Sequence, residues 1–239
     1  MPRAEGVAEF IDEPGIPLDE LSANLQDLAR LNYLFGGTRL IFRYLVPMLR
    51  RTRSGEIRIL DVATGGADIP AAIVRWARRH GRRVRIVGID KNPQMLRASE
   101  ARIREYPEIT LELADALALP YPPGSFDVVL CSQVLHHLTY PEGIRLLASL
   151  DKIGQRGFVV GDLLRSWHAY GLTWLAMRVC CRGRLVRHDG PISIRRAYTR
   201  SELRTMVAQA GVDGVQIHSH PFFRVALVKE RPDDPAPDG

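Results

Sequence analysis

Short apolar runs alternate with segments of helical periodicity along most of this chain. Strands that alternate with helices are joined by right-handed crossovers and form a mostly parallel sheet. The pattern therefore predicts an α/β fold with helices on both faces of the sheet. The predicted strands lie at 57–61, 84–89, 109–113, 126–131 and 157–162, and the predicted helices at 68–80, 93–105, 141–150 and 199–210.

Two segments depart from this alternation. After the last predicted helix come two strand-like runs, 212–219 and 222–229, joined by a tight His220-Pro221 connection. Strands connected so closely pair antiparallel, so a hairpin is predicted at the end of the sheet. Residues 163–197 are too long for an ordinary connection and are rich in aromatic residues and arginines, which predicts a lid insertion.

The segment before the first strand carries its own helical pattern. Apolar residues recur at helical spacing over 18–30 and 39–51, with glycines between the two stretches. We therefore expect an N-terminal helical lid or appendage at 1–54, a sheet domain at 55–230 and a flexible tail, rich in proline and aspartate, at 231–239. With 239 residues, one domain can bury an ample core.

Charge raises the question of an acidic partner. The formal net charge is +6, and the densest group of arginines spans 75–85, across the end of a predicted helix. Cations at that position complement the helix dipole on a solvated face, and this interpretation is favoured over binding of nucleic acid. An acidic partner remains the alternative.

Cysteines and targeting signals add little. The chain has 3 cysteines, two of them adjacent, which argues against a disulfide framework, and neither has a histidine or a further cysteine at metal-ligand spacing. The first residues do not resemble a signal peptide, and the apolar stretch at 167–179 is too short and too polar to span a bilayer. A cytoplasmic protein without a membrane span is expected.

The most informative stretch runs from Ile57 to Pro70. It reads as a strand that ends in Asp61, a loop of small residues, and a helix with Pro70 in its first turn. Such a loop brings the backbone close to a ligand at the carboxyl end of a parallel strand. Asp90 ends the next strand and Asp115 follows the one after. Three acids at strand ends suit a cofactor with hydroxyl and amine donors and a positive charge, and they do not suit a pyrophosphate.

Three blocks of sequence together resemble the class I S-adenosylmethionine (SAM)-dependent methyltransferases: 61–68, 87–96, and 114–117 followed by 126–130. The order and spacing of the blocks and the terminal hairpin are similar to those of the family, over roughly residues 55–230. The resemblance is greatest to the small-molecule branch that includes ubiquinone and menaquinone C-methyltransferases. It implies a Rossmann-like sheet of seven strands.

The first block departs from the family pattern at two positions. The family's loop usually reads acid-x-Gly-x-Gly-x-Gly, whereas Ala63 and Ala67 occupy the outer glycine places here. Alanine permits close approach of a ligand, but we expect it not to adopt positive φ.

The resemblance also implies roles for individual residues in binding SAM. Asp90 would accept both ribose hydroxyls, Asp115 would accept from the adenine amine, and Asp61 would orient the loop or take the amino group through water. The other implied cofactor residues are Ala63, Gly65 and Gly66 beside the methionine part, Lys91 and Met95 flanking the adenine, Ala116 beside the amine, and Ser132 and Gln133 at the methionine end.

Each acid has a structural alternative. Asp61 could hydrogen-bond the backbone of its own loop, Asp90 could cap the following helix, and Asp115 could be a turn residue. We expect it to be much rarer for all three alternatives to hold at once than for any one of them to hold.

His136 and His137 follow the fourth strand, where the methyl group should point. A neutral imidazole, with a pKa of about 6.5, could take a proton from a phenol or an enol. General-base help is worth about 10²–10⁴-fold, less than the roughly 7–11 kcal/mol available from alignment, so positioning should dominate. Paired histidines are common in this branch whatever the substrate, so hydrogen-bonding or shape roles stay open. No metal is expected, because the sulfonium is already activated.

The appended parts should build the substrate chamber. An aromatic lining suits a flat, apolar acceptor, although the same side chains could simply pack the lid helices onto the sheet. Arg187, His188 and Arg195 could meet an anionic group of the substrate or face water, and water is the favoured expectation. The candidate substrate residues are Tyr33 and Phe35 from the N-terminal segment and Trp167, His168, Tyr170 and Trp174 from the insertion.

The leading hypothesis is transfer of a methyl group to an oxygen atom of a small aromatic, quinone-like or polyketide-like acceptor. Transfer to carbon is less expected. The enzyme is expected to be a monomer or a homodimer. A nucleic-acid methyltransferase is a rival, but residues 131–134 lack the Pro-Pro-aromatic or Pro-Cys motifs of those enzymes. A nicotinamide-dependent dehydrogenase would need Gly-x-Gly-x-x-Gly, which is missing. A SAM-binding protein without catalytic activity is the remaining alternative.

Overall fold

The computed structural model describes residues 1–7, 9–12, 15–52, 55–180 and 184–232, so Cys181 and the predicted tail from 233 onward lie outside the described residues. Its seven-stranded sheet has the order β3-β2-β1-β4-β5-β7-β6 and is parallel except at β7, which runs antiparallel to both of its neighbours. The predicted α/β fold is thereby confirmed. The strands are β1 (Glu56–Val62), β2 (Arg83–Asp90), β3 (Ile109–Leu113), β4 (Val128–Ser132), β5 (Gly157–Leu163), β6 (Gln216–His220) and β7 (Arg224–Glu230).

Eight α-helices are described, and five of them cover the sheet. Residues of α2 and α3 pack into the core on one face, together with the end of α4, and α5 and α8 pack into the core on the other face. The helices are α1 (Leu18–Leu34), α2 (Gly37–Arg51), α3 (Asp68–Arg79), α4 (Pro93–Ile103), α5 (Tyr140–Ile153), α6 (Trp167–Cys180), α7 (Arg184–Arg196) and α8 (Arg200–Gln209).

Alternation along the strands divides the core into two layers. In β1, Ile57 and Ile59 point to the layer with α2 and α3, whereas Leu60 and Val62 point to the layer with α5 and α8. Successive side chains of a strand face opposite sides, so a run that is apolar on both faces is buried on both.

The second N-terminal helix is part of the core and not an appendage to it. Ile41, Leu45 and Leu49 are fully buried in the same cluster as β5 and β7. Gly161 of β5 makes this packing possible, because a Cβ there would lie 3.0 Å from both Leu40 and Ile41. The apolar stripe of α2 therefore covers the part of the sheet that α3 does not reach.

The insertion forms a pair of helices, α6 and α7. Met177 of α6 and Val186 of α7 are buried together with Leu31 of α1 in a small satellite cluster. A short 3₁₀ helix at Phe10–Asp12 is tied to α7, because the Phe10 and Ile11 amides donate to the Asp189 carboxylate at 2.8 and 3.0 Å. The N-terminal segment and the insertion thus meet above the carboxyl ends of the strands.

The predicted terminal hairpin is present, with a shorter first strand. Residues 212–215 form turn and irregular backbone, and β6 begins at Gln216. The connection to β7 holds Phe222 and Phe223 at φ of 59° and 54°, in the left-handed region. Paired left-handed residues match the twist of a tight hairpin, at a conformational cost for side chains other than glycine.

Helix starts follow ordinary capping chemistry. Pro70 lies in the first turn of α3, and Pro93 begins α4, where Asn92 caps the helix by accepting from the Gln94 amide at 2.9 Å. Thr199 and Glu202 form a capping box at α8. Among the described helices, none combines the length and the apolarity needed to cross a membrane.

Candidate cofactor and acceptor site

The loop between β1 and α3 lies against the end of β2. The Thr64 amide donates to the Ile89 carbonyl at 2.8 Å, and the Gly65 amide donates to Asp90 Oδ2 at 3.1 Å. An added Cβ at Gly65 would meet no atom within 4 Å, so the backbone there faces open space. This arrangement leaves room for a ligand to approach the loop closely.

Both alanines of the loop adopt positive φ, so the expectation that alanine would avoid this conformation was wrong. Ala63 has a φ of 55° and Ala67 a φ of 51°, and Gln133, at the end of β4, has a φ of 61°. The Ala67 amide donates to the Thr64 carbonyl at 2.9 Å, and Ala67 is fully buried. Hydrogen bonding and packing hold the strained backbone, as is common where a fold positions a ligand.

Asp61 is buried at the end of β1 and accepts from the Thr64 hydroxyl at 2.7 Å. Burial raises the pKa of this carboxyl to about 7, the Thr64 hydrogen bond opposes the shift, and the nearby Asp68 and Asp90 add to it. A positively charged ligand group nearby would favour the ionised form. The observed hydrogen bond is to the Thr64 side chain of the loop, and the role of Asp61 toward the cofactor stays a prediction.

Asp90 ends β2 with both carboxylate oxygens facing backbone amides. Oδ2 accepts from Gly65, and Oδ1 accepts from Asn92 at 2.9 Å. Asn92, and not Asp90, caps α4, so the capping alternative for Asp90 is wrong. A carboxylate has about four acceptor sites, and the predicted contact with the ribose hydroxyls remains a prediction for this side chain.

Asp115 is exposed in the turn after β3, and its side chain accepts from the Leu117 amide at 2.9 Å. Ala116 is half-buried beside it, and Lys91 is exposed after β2. Met95 is buried against Leu21 and Leu25 of α1. The roles proposed for these side chains around the adenine stay predictions.

Two residues that the sequence analysis missed hold the loop from below. Ser99 Oγ lies between the Gly65 carbonyl at 2.7 Å and the Met95 carbonyl at 2.5 Å, and Arg102 Nη1 donates to the Gly66 carbonyl at 2.7 Å. An added Cβ at Gly66 would lie 3.0 Å from the Arg102 guanidinium and 3.3 Å from Leu25. Both polar side chains lie on α4, and no local pattern marks them.

The residues after β4 connect this crevice to a second cluster. Ser132 is half-buried, and the Gln133 amide donates to the Gly161 carbonyl at 2.8 Å. His136 is buried, with its Nδ1 2.6 Å from Asp162 Oδ1. Burial acts to raise the pKa of Asp162, but the charge and hydrogen bond of His136 outweigh it and lower the pKa. Asp162 therefore fixes the orientation of the first histidine.

Glu9, from the N-terminal segment, completes the cluster and was missed by the sequence analysis. One carboxylate oxygen lies 3.8 Å from His136 Nε2 and 3.7 Å from Arg196 Nη1, and the other lies 3.8 Å from His137 Nε2. Burial raises the pKa of Glu9 to about 7, against the lowering effects of His137 and Arg196. Nothing in its sequence surroundings marks this acid, because the chain approaches the histidines only through the tertiary fold.

Potential metal-ligand atoms of Glu9, His136 and His137 all lie within 4.8 Å of one another. Arg196 already supplies a positive charge beside the Glu9 carboxylate. His137 is part-exposed and His136 is held by Asp162. His137 is therefore the more accessible histidine of the cluster, and a catalytic role for it stays a prediction.

A cavity of about 340 Å³ lies beside this cluster. Its wall is mostly apolar and comes from α1, α6, α7 and the β6–β7 turn. Gln133 and Glu9 also line it, whereas His136 and His137 are not among its described lining residues. The wall residues include Leu28, Leu31, Phe35, Leu163, Thr173, Met177, Val186, Phe222, Phe223 and Arg224.

Of the six predicted substrate residues, the structure places Phe35 on this wall. Tyr33, Trp167 and Trp174 are exposed, with 43–65% of their surface accessible. His168 is exposed and Tyr170 is half-buried, both outside the described lining of the cavity. The predicted aromatic residues are thus mainly on the outer side of the lid.

Arg224 is a buried cation on the cavity wall, and the sequence analysis did not select it. Its guanidinium donates to the Phe35 carbonyl at 2.8 Å and to Asn32 Oδ1 at 3.4 Å. Burial lowers the pKa of Arg224 to about 10, and Asp162 opposes the shift. A desolvated guanidinium attracts an electron-rich or anionic group of a ligand.

Comparison with known proteins identifies similar chains. Residues 59–157 match the family model described as a methyltransferase domain. The ubiquinone/menaquinone biosynthesis C-methyltransferase UbiE of Pseudomonas putida strain GB-1 is 28% identical over 203 residues, which cover 78% of this chain and 76% of that protein.

Solved structures share the fold at low sequence identity. An O-methyltransferase family 2 protein from Planctomyces limnophilus, solved in complex with apigenin, superposes with a TM-score of 0.62 at 18% identity, covering 92% of this chain and 63% of that one. Human N-acetylserotonin methyltransferase, solved with SAM, gives a TM-score of 0.63 at 15% identity, covering 91% and 57%.

Proposed function

Because this chain belongs to the class I SAM-dependent methyltransferases, we propose that it transfers the methyl group to an oxygen atom of a small aromatic, quinone-like or polyketide-like acceptor. The observation that carries the proposal is the buried carboxylate of Glu9, which lines a mostly apolar cavity and lies 3.8 Å from His137 Nε2. Gln133, which follows β4 and has an implied role at the methionine end of the cofactor, also lines that cavity.

The crevice fits the cofactor in both shape and charge. Gly65 faces open space, and buried Asp61, with a raised pKa, lies close to Asp90. Acidic groups crowded in this way are relieved by a ligand that brings positive charge and hydroxyl donors. We propose that Asp90 holds the ribose, that the loop of Ala63, Gly65 and Gly66 holds the methionine part, and that Asp115 accepts from the adenine amine.

When bound, SAM supplies a methyl group that is already activated for in-line displacement. His137 Nε2 takes the proton of the acceptor hydroxyl, so that the acceptor oxygen can receive the methyl group that bound SAM would supply, with S-adenosylhomocysteine as the leaving group. Glu9, 3.8 Å from His137 Nε2, stabilises the resulting imidazolium. Apolar cavity walls align the acceptor and exclude water, which contributes more than the base itself.

The test uses SAM labelled with ¹³C in the methyl group and a panel of phenolic, quinol and polyketide acceptors. We expect products whose methyl carbon has the chemical shift of an ether. Products methylated on carbon alone would contradict transfer to oxygen. Cofactor binding without transfer to any acceptor would favour the alternative of a SAM-binding protein without activity.

A second candidate, methylation of carbon, is favoured by one observation. The UbiE relatives are C-methyltransferases by name and are similar to most of this chain. Removal of a phenolic proton by the same histidine would also increase the electron density on a ring carbon. The chemical shift of the transferred methyl group decides between the two outcomes.

The role of His137 is tested separately. His137→Gln should lower kcat by about 10²–10⁴-fold and leave the affinity for S-adenosylhomocysteine unchanged, because the imidazole acts on the acceptor. Glu9→Gln should lower kcat by less. His80→Gln, on the distant end of α3, is the matched control and should keep full activity. Near-full turnover of His137→Gln would remove the base from the mechanism.

A further inference from the structure

The outer side of α6 is unusually apolar. Among the described residues, five of the eleven large apolar side chains that are exposed lie on this one helix. Between 43% and 75% of each side chain is accessible. They are Trp167, Leu172, Trp174, Leu175 and Val179. Exposed apolar side chains that are contiguous mark interaction sites, unlike those scattered singly.

Helical periodicity puts these five side chains on one side. Ala169 and Met177 are buried on the opposite side, where Thr173 and Ala176 contribute to the cavity wall. At about 100° per residue, the exposed residues fall within one arc of the helix. We call this arc the α6 face.

The formal charges in the sequence of this segment have a single sign. Residues 167–188 contain no aspartate or glutamate, and their arginines with described side chains are Arg178 and Arg187. The Arg178 guanidinium lies 4.7 Å above the Trp174 ring. Tryptophan and leucine beside arginine are the combination that amphipathic helices use at the surface of an anionic bilayer.

The α6 face continues to the mouth of the cavity. Leu172 and Phe222 both line the cavity and are more than half exposed. Phe222 contacts Phe35 with ring centroids 5.5 Å apart, and exposed Tyr33 and Leu34 immediately precede Phe35. The apolar surface is therefore continuous between the outside of the lid and the acceptor cavity.

We propose that the α6 face binds the surface of an anionic lipid bilayer, so that an apolar acceptor can enter the cavity from the lipid. The binding surface stands on its own, whereas the route of the acceptor rests on the proposed function. A second copy of the chain is the less favoured occupant, because it would bring two arginine-rich segments together, and juxtaposed like charges oppose association.

The test is co-sedimentation of the full chain with vesicles of phosphatidylcholine alone or mixed with phosphatidylglycerol. We expect binding to the mixed vesicles, weakened by salt. The triple variant Trp174→Ser, Leu175→Ser, Val179→Ser should bind at least about tenfold more weakly, because three large apolar side chains no longer enter the interface. The double variant Val7→Ser, Leu18→Ser, which changes exposed apolar residues away from α6, should bind like the wild type.

The proposal would be overturned if the wild type did not bind the mixed vesicles, or if the triple variant bound them as tightly as the wild type. It would also be overturned if light scattering showed that the wild type is a dimer and the triple variant a monomer. Titration with S-adenosylhomocysteine shows that each variant keeps its cofactor site. Methyl transfer to a water-soluble phenol tests the proposed function without a membrane. Failure of the proposed function can therefore be distinguished from failure of membrane binding.

Discussion

At the scale of single residues, Asp61 should make cofactor binding depend on pH. Its pKa in the protein without ligand is raised to about 7, chiefly by burial. A positively charged group of the ligand favours the ionised form of the Asp61 carboxyl. The complex therefore binds fewer protons than the free protein. Affinity for S-adenosylhomocysteine should therefore rise between about pH 6 and pH 8, by at most roughly tenfold per pH unit below the pKa.

Calorimetric titrations across this range test the dependence. Asp61→Asn should remove most of it, because the amide does not ionise. Glu9→Gln should keep it, since Glu9 also has a pKa raised to about 7 but lies with the histidines. A dependence that survives in Asp61→Asn would assign it to another group.

The strained alanines of the loop give a second prediction. A left-handed conformation costs alanine about 1–2 kcal/mol, and replacement by glycine adds roughly 0.4–1 kcal/mol of backbone entropy to the unfolded state. Ala63→Gly, at a half-buried position, should therefore raise the free energy of unfolding slightly, by about 0.5 kcal/mol. Ala71→Gly, within the regular helix α3, should lower it by about 1 kcal/mol. Urea denaturation measures both, and a loss of stability in Ala63→Gly would contradict the strain.

The sequence predicts those parts of the site that neighbouring elements of the sheet bring together, and it does not predict contacts between distant parts of the chain. Asp61 and Asp90 could be placed together because neighbouring parallel strands end at the same edge, and both now contact the same loop. Glu9 and Arg224 could not be found in this way. Each reaches its place through contacts between distant parts of the chain, Glu9 with Arg196 and Arg224 with the Phe35 carbonyl.

At the scale of elements, α2 rests on β5 at Gly161. A Cβ there would lie 3.0 Å from Leu40 and Ile41, so Gly161→Val should overpack the interface and lower the free energy of unfolding by about 1–3 kcal/mol. Gly171→Ala, on α6, meets no atom within 4 Å and should stabilise the helix by up to about 1 kcal/mol. Denaturation of both variants checks the packing, and an equally stable Gly161→Val would show that α2 can shift.

The elements themselves follow closely from periodicity, but their packing does not. A strand in the sheet must bury one or both of its faces. The resulting pattern of apolar residues predicts β1 and the terminal hairpin. The same reasoning does not say where α2 docks. That position depends on Gly161, a residue without a side chain, which carries no hydrophobic signal. The sequence likewise predicts a lid insertion at 163–197 but not its division into α6 and α7.

At the scale of the whole molecule, the net charge of +6 does not imply a surface for nucleic acid. In the 75–85 cluster, Arg78 pairs with Glu108 at 2.7 Å, and Arg85 pairs with Glu56 at 3.1 Å. Arg82 donates to carbonyls at the end of α2. These partners occupy arginines that phosphates would otherwise contact.

We therefore expect weak binding of the chain to RNA or double-stranded DNA at physiological salt. Fluorescence anisotropy with labelled oligonucleotides over a range of salt concentrations measures it. Tight binding that falls steeply as salt rises would point to counterion release from phosphates, and would favour the nucleic-acid alternative.

The central claim is that carboxylates at the ends of neighbouring strands form one crevice for SAM, and titration with S-adenosylhomocysteine tests it most directly. We predict that the wild type binds and that Asp90→Ala loses about 1.5–3 kcal/mol of binding free energy. Glu108→Gln, which changes a surface ion pair outside the crevice, should bind like the wild type. Unchanged affinity in Asp90→Ala, or no binding by the wild type, would contradict the account.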